Sequence, residues 1–180
     1  MTDNGLYRLN RMSRPDALKA LTRCCGSSSW ILRMLSRRPF ESRAELLRIS
    51  SATFRSLTES DWREAFARHP KIGDLRAVDR SGESKWAAQE QASTMNASAD
   101  VLKELAEANQ LYEQQFGRTY IVCATGLEPA DMIADLKRRL GHDPHQEFAI
   151  AADHQRRITK IRLKKLLDTL ASDASDVEGG

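Results

Sequence analysis

The feature that most constrains this chain is its punctuation for helices. Ser13 with Pro15 and Asp16, Ser42 with Glu45, and Thr58 with Asp61 each set a short hydroxyl side chain ahead of a carboxylate. That pattern satisfies the free N–H groups of a helix start. Ser98 opens a further helix, whose Val101, Leu102, Leu105, Asn109, Tyr112 and Phe116 keep helical spacing until Gly117 stops it. Pro129 and Pro144 stand where a first-turn proline is tolerated, with Gly141 separating the two helices they begin. The last helix, expected over roughly 144 to 169, is the longest. The chain therefore reads as all-α, a single-domain helical bundle over about 9–170, with 1–8 and 171–180 as flexible, solvated ends.

Length agrees with one domain, since 180 residues at 41% hydrophobic content support one ordinary core and not two. No apolar run reaches membrane-spanning length, and Met1-Thr2-Asp3-Asn4 lacks the basic start and apolar block of a secretory signal. A cytoplasmic protein with no membrane partner is expected. The three cysteines fit a reducing compartment, because adjacent Cys24 and Cys25 cannot bridge without strain and Cys123 lies in an apolar run. A net charge of +3, from 28 basic and 25 acidic residues, gives at most a mild attraction for a small anion. It does not argue for nucleic acid, and Lys137-Arg138-Arg139 and the lysines of 160–165 read as solvated helix faces.

One segment breaks the helical pattern. Tyr120-Ile121-Val122-Cys123-Ala124 is a continuous apolar, partly β-branched run between Gly117 and Gly126, too short for a helix and without a strand partner elsewhere. Its amide groups need other partners: either neighbouring helix ends and water, or a planar ligand that carries amides of its own. A second departure is His69-Pro70-Lys71-Ile72-Gly73-Asp74-Leu75. The residue before proline is pushed out of helical geometry, so His69 should project from a helix end, on the face shared by Trp62 and Phe66. Imidazole is the one side chain whose unperturbed pKa lies near working pH, which makes His69 the candidate acid/base group; a core or capping histidine is the plainer alternative.

These stretches occur in order with Cys24-Cys25-Gly26-Ser27-Ser28-Ser29-Trp30, Gln89-Glu90-Gln91-Ala92, Phe116 through Gly126, Leu140-Gly141-His142-Asp143 and Ile161-Arg162-Leu163. Together they resemble the OHCU decarboxylase family, over about Leu9 to Leu167. The resemblance implies a carboxy-lyase of purine and urate catabolism that converts 2-oxo-4-hydroxy-4-carboxy-5-ureidoimidazoline to (S)-allantoin. It implies no cofactor, since the substrate's own ring C=N takes up the electron pair left by carbon dioxide, and it implies a homodimer.

Carried over residue by residue, the resemblance makes His69 the proton donor and lets Pro70 orient it and line the ligand site. Glu90 would accept a hydrogen bond from the substrate hydroxyl and Gln91 would contact the ring or ureido group, on a short helix starting near Trp86. Tyr120, Ile121, Val122, Cys123 and Ala124 would offer backbone hydrogen bonds to the ring. Arg162 falls a heptad after Gln155 and two after Phe148, a spacing that turns a guanidinium toward the packed face of the last helix. The resemblance puts it in the pocket, with Arg157 as second choice; a stem that snorkels while its head caps a helix end is the structural alternative. The sequence departs from the family at Ala87, where a ligand-touching serine is usual.

Three other readings are set aside or kept. A metal site from His142, His145, Asp153 and His154 is disfavoured by Pro144 and by the nine-residue step between His145 and His154. Cys24-Cys25 has nothing basic beside it and reads as a tight turn between helices. A catalytically inactive helical ligand-binding or interaction module of the same fold is the alternative function, and Ala87 keeps it open.

Overall fold

The computed structural model describes residues 3–72, Trp86 and 97–172. Among these the secondary structure is all-α: α1 (Asn4–Arg11), α2 (Arg14–Thr22), α3 (Ser28–Ser36), α4 (Arg43–Phe54), α5 (Glu59–Ala67), α6 (Ala99–Phe116), α7 (Pro129–Arg139) and α8 (Pro144–Ser172). The starts follow the capping chemistry. Ser13 Oγ accepts from Asp16 N–H, Ser42 Oγ from Glu45 N–H, Thr58 Oγ1 from Asp61 N–H and Ser98 Oγ from Val101 N–H. Gly117 closes α6 in the left-handed region at φ 66°, a conformation open to glycine without strain.

The chain divides into two compact units, Met1–Ala65 with Arg156–Gly180, and Phe66–Gln155. In the first, Trp30, Phe54 and Trp62 form a buried aromatic stack, with ring centroids 5.9 and 5.0 Å apart. The start of α3 is held by acidic side chains of α5. Ser28 donates to Glu64 through N–H and Oγ, and Ser29 Oγ donates to Asp61 Oδ1 at 2.6 Å. Negative charge at that helix start also complements the helix dipole.

The expectation of a solvated N-terminal end is corrected from Asn4 onward. Asp3 caps α1 by accepting from Leu6 N–H, and Leu6 and Leu9 are buried. Gly5 lies flat on α8, so close that an added Cβ would stand 1.9 Å from Leu167 O. Arg43 ties this corner to Asp3 and Asp168, and Arg8 Nη1 donates to Leu170 O at 3.2 Å. A glycine that sequence reading leaves to a flexible tail is in fact a point of helix contact. The last helix is also longer than expected, continuing to Ser172.

In the second unit α6 packs on α7. Leu105, Tyr112, Phe116, Tyr120, Met132 and Leu136 belong to its core, to which Val122 and Ala124 also contribute. The 120–124 run is neither helix nor strand, as its composition suggests, and Tyr120, Ile121, Val122 and Ala124 are buried. Trp86 is helical and buried. No helix among the described residues is long and apolar enough to cross a membrane.

Gly5→Ala should force α1 off Leu167 and destabilise the chain by about 1–3 kcal/mol, the usual scale of overpacking. In a thermal melt this appears as a loss of roughly 2–4 °C per kcal/mol for a chain of this size. An unchanged melting temperature would mean that α1 does not dock there.

Candidate active site

His69 sits just past α5, its N–H bonded to Phe66 O at 3.1 Å, and its side chain is half-buried. Phe66 is buried and meets Phe148 of α8 edge to face at 5.5 Å, which anchors the turn that carries the imidazole. The Arg118 guanidinium lies over the Phe66, Phe116 and Phe148 rings at 5.4 to 6.0 Å. His69 Nε2 is 2.7 Å from Oε1 of Gln155, a side chain with no solvent exposure. Pro70 follows, half-buried, before buried Ile72.

Three amide groups of the 120–124 segment are held: Ala124 O accepts from Leu127 N–H at 3.0 Å, and side chains hold two more. Ile121 O accepts from Arg139 Nη1 at 2.9 Å, and Cys123 N–H donates to His154 Nδ1 at 3.1 Å. Both partners are side chains, of α7 and α8, a source that the reading of helix ends with water or a ligand did not include. A backbone N–H can only donate, so Nδ1 of His154 is the accepting nitrogen.

Behind the segment lies a polar network that sequence reasoning missed. Arg139 and Glu147 are both fully buried, joined through Nη2 and Nε to Oε1 at 2.5 and 2.9 Å. Tyr112 Oη donates to the same oxygen, and His142 Nδ1 is 3.0 Å from Oε2. The Arg139 guanidinium also stacks on Tyr120, 4.7 Å from the ring centre. Burial pushes the Glu147 carboxyl up, but the bonds from Arg139, Tyr112 and His142 outweigh it and hold the group below its ordinary value of 4.5. Tyr120 Oη donates to Asp135 at 2.6 Å, and burial with that bond pushes the phenol well above its usual range. Reading Lys137-Arg138-Arg139 as one solvated face is right for the first two, which are exposed, and wrong for Arg139.

Arg162 belongs to the other unit and is half-buried, whereas Arg157 is exposed. Of the two candidates, burial favours Arg162. Its charge acts on the buried Cys25 thiol, yet desolvation dominates and pushes that thiol up to about 11. Cys25 is therefore no nucleophile near neutrality, in line with its reading as a turn between α2 and α3. Glu90, Gln91 and Ala87 lie outside the described residues. No group of three or more metal-binding side chains occurs among the described residues.

A family model described as OHCU decarboxylase matches residues 10–164. The uric acid degradation bifunctional protein TTL of Arabidopsis thaliana is 35% identical over 86% of this chain and 48% of its own length, so the chain spans about half of that relative. The 2-oxo-4-hydroxy-4-carboxy-5-ureidoimidazoline decarboxylase of Haloferax volcanii is 24% identical over 91% of this chain and 96% of its own. A crystal structure of OHCU decarboxylase in the presence of (S)-allantoin superposes with a TM-score of 0.70 at 33% identity, covering 82% of this chain and 96% of that one.

The buried pair makes a prediction about stability. Because the Glu147 carboxyl is lowered in the fold, its contribution is present above its ordinary value and is lost as pH falls through the folded value. Arg139→Met should cost about 3–5 kcal/mol in urea denaturation near neutral pH. The gap from the parent should narrow as pH drops below about 4, and the Arg139→Met/Glu147→Gln double variant should lose less than the sum of the singles. Additive losses would show that the two side chains do not act as a pair.

Proposed function

We propose, from the premise that the chain belongs to the OHCU decarboxylase family, that it converts 2-oxo-4-hydroxy-4-carboxy-5-ureidoimidazoline to (S)-allantoin without a resident cofactor. The observation that carries this reading is the half-buried His69 imidazole fixed by a buried amide, on the motif the family shares.

The chemistry asks little of the protein beyond orientation and proton control. As the C–C bond to the carboxylate breaks and carbon dioxide leaves, its electron pair enters the neighbouring ring C=N, whose nitrogen gains a proton. The substrate hydroxyl then loses its proton as its oxygen becomes a carbonyl, and a proton reaches one face of the adjacent carbon. The net change is one proton taken up per carbon dioxide released. His69 delivers the proton that sets the configuration, and Glu90 holds the hydroxyl and draws its proton. Pro70 and Gln91 line the site, and Arg162 offers a planar fork suited to a carboxylate or urea oxygen.

The held amides of 120–124 support a role for this run in recognition. Alternate residues of an extended chain turn their amide groups to opposite edges. With Ile121 O and Cys123 N–H taken by Arg139 and His154, and Ala124 O taken by Leu127 N–H, the groups that would meet the ring are those of Tyr120 and Val122 with Ala124 N–H. Main-chain recognition of this kind leaves side-chain identity free to vary. We also propose a homodimer working in the cytoplasm.

Direct assay of carbon dioxide release and of the optical purity of allantoin tests the reading. His69→Asn should keep the fold and lower stereospecific turnover by roughly two to four orders of magnitude, the scale of general acid/base catalysis. Formation of optically pure product at the parental rate by that variant would exclude the proton-donor role. A parent chain that releases no carbon dioxide from the substrate would favour an inactive binding module.

A further inference from the structure

We infer that Gln155 is a positioning residue for His69, which fixes the imidazole with its proton on Nε2 and leaves proton exchange to Nδ1; the inference rests on the decarboxylase reading above. Gln155 has no solvent exposure, and its Oε1 lies 2.7 Å from His69 Nε2. A carbonyl oxygen can only accept, so Nε2 must carry a hydrogen. Neutral imidazole has one N–H, and its lone pair is then on Nδ1.

The choice of an amide has a chemical consequence. Both the neutral Nε2–H form and the imidazolium donate from Nε2, so the bond to Gln155 persists through a full cycle of proton loss and gain. The ring does not have to turn between steps, and a proton leaves from one fixed point in space. That is the requirement for delivering it to a single face of a planar carbon. A carboxylate at 155 would make the same bond but would stabilise the charged ring, moving the proton equilibrium upward. The neutral amide orients the ring without adding a charge. Its place on α8 is set independently of His69, because α8 is also held at His154 by Cys123 N–H and at Glu147 by Arg139.

The test combines a substrate-free measurement with kinetics. Ring-nitrogen spectra of histidine-labelled protein at high pH should show His69 as the Nε2–H tautomer, assigned by its absence in His69→Asn. Gln155→Glu, nearly the same size, should retain that tautomer and shift the His69-dependent limb of the kcat profile upward by about one pH unit or more. Gln155→Leu should lower kcat by roughly 10- to 100-fold with KM within about threefold, and should release a less optically pure product. Circular dichroism confirms that both variants fold. An Nδ1–H tautomer in an active parent overturns this inference alone, and so does a Gln155→Glu pH profile that coincides with the parent's. An inactive parent overturns the functional reading and this inference together.

Discussion

The second unit is organised around one buried charge. Arg139 is shut away from solvent, so its donors must find oxygens within the fold, and those it finds are Glu147 Oε1, which takes Nε and Nη2, with Ile121 O and Asp135 Oδ2, which share Nη1. Arg139 thereby ties the end of α7 to the first turn of α8 and to the 120–124 segment. Removing it would leave a buried carboxylate facing Tyr112 and His142 with no compensating cation. An apolar replacement could pack, but it could not hold a carbonyl in place. The pair's role is thus geometric: it makes an irregular stretch of backbone as well defined as a strand without a sheet.

α8 performs the same service with two adjacent residues. His154 receives Cys123 N–H, and Gln155 receives His69 Nε2. Adjacent side chains on a helix diverge by about 100°, so they can reach two different elements from one turn. The candidate proton donor and the candidate recognition segment are therefore referenced to the same rigid helix. Their relative position does not depend on a loop.

Much of this was legible before the structure. Caps at Ser13, Ser42, Thr58 and Ser98, the stop at Gly117 and the irregular run at 120–124 all follow from local chemistry, which acts within a few residues. What was not legible depends on distance along the chain. Gly5 has no local signature because its reason is Leu167, and Arg139 reads as one cation of three because its reason is Glu147. Gln155 came closest to being found. Its heptad relation to Phe148 and Arg162 put a polar side chain on a packed stripe, which is the signal of a buried partner, yet nothing in the sequence says that the partner is His69. Motif order identified the family because it samples many local segments at once, and that is also why it carried His69 while missing the groups that hold it.

The two histidines bonded through α8, His69 and His154, are bonded in opposite senses, and this separates what each ring can do. His69 donates from Nε2, a bond that survives when the ring gains a second proton. His154 accepts at Nδ1, a bond that the same gain would destroy, since an imidazolium has no lone pair to offer an amide. One ring can cycle a proton without losing its place; the other can hold its place only while neutral. The hydrogen-bond pattern therefore supports the proposed proton-donor role for His69 rather than for His154. The backbone proposed to recognise the ligand keeps its bond to His154 only as long as that ring stays neutral.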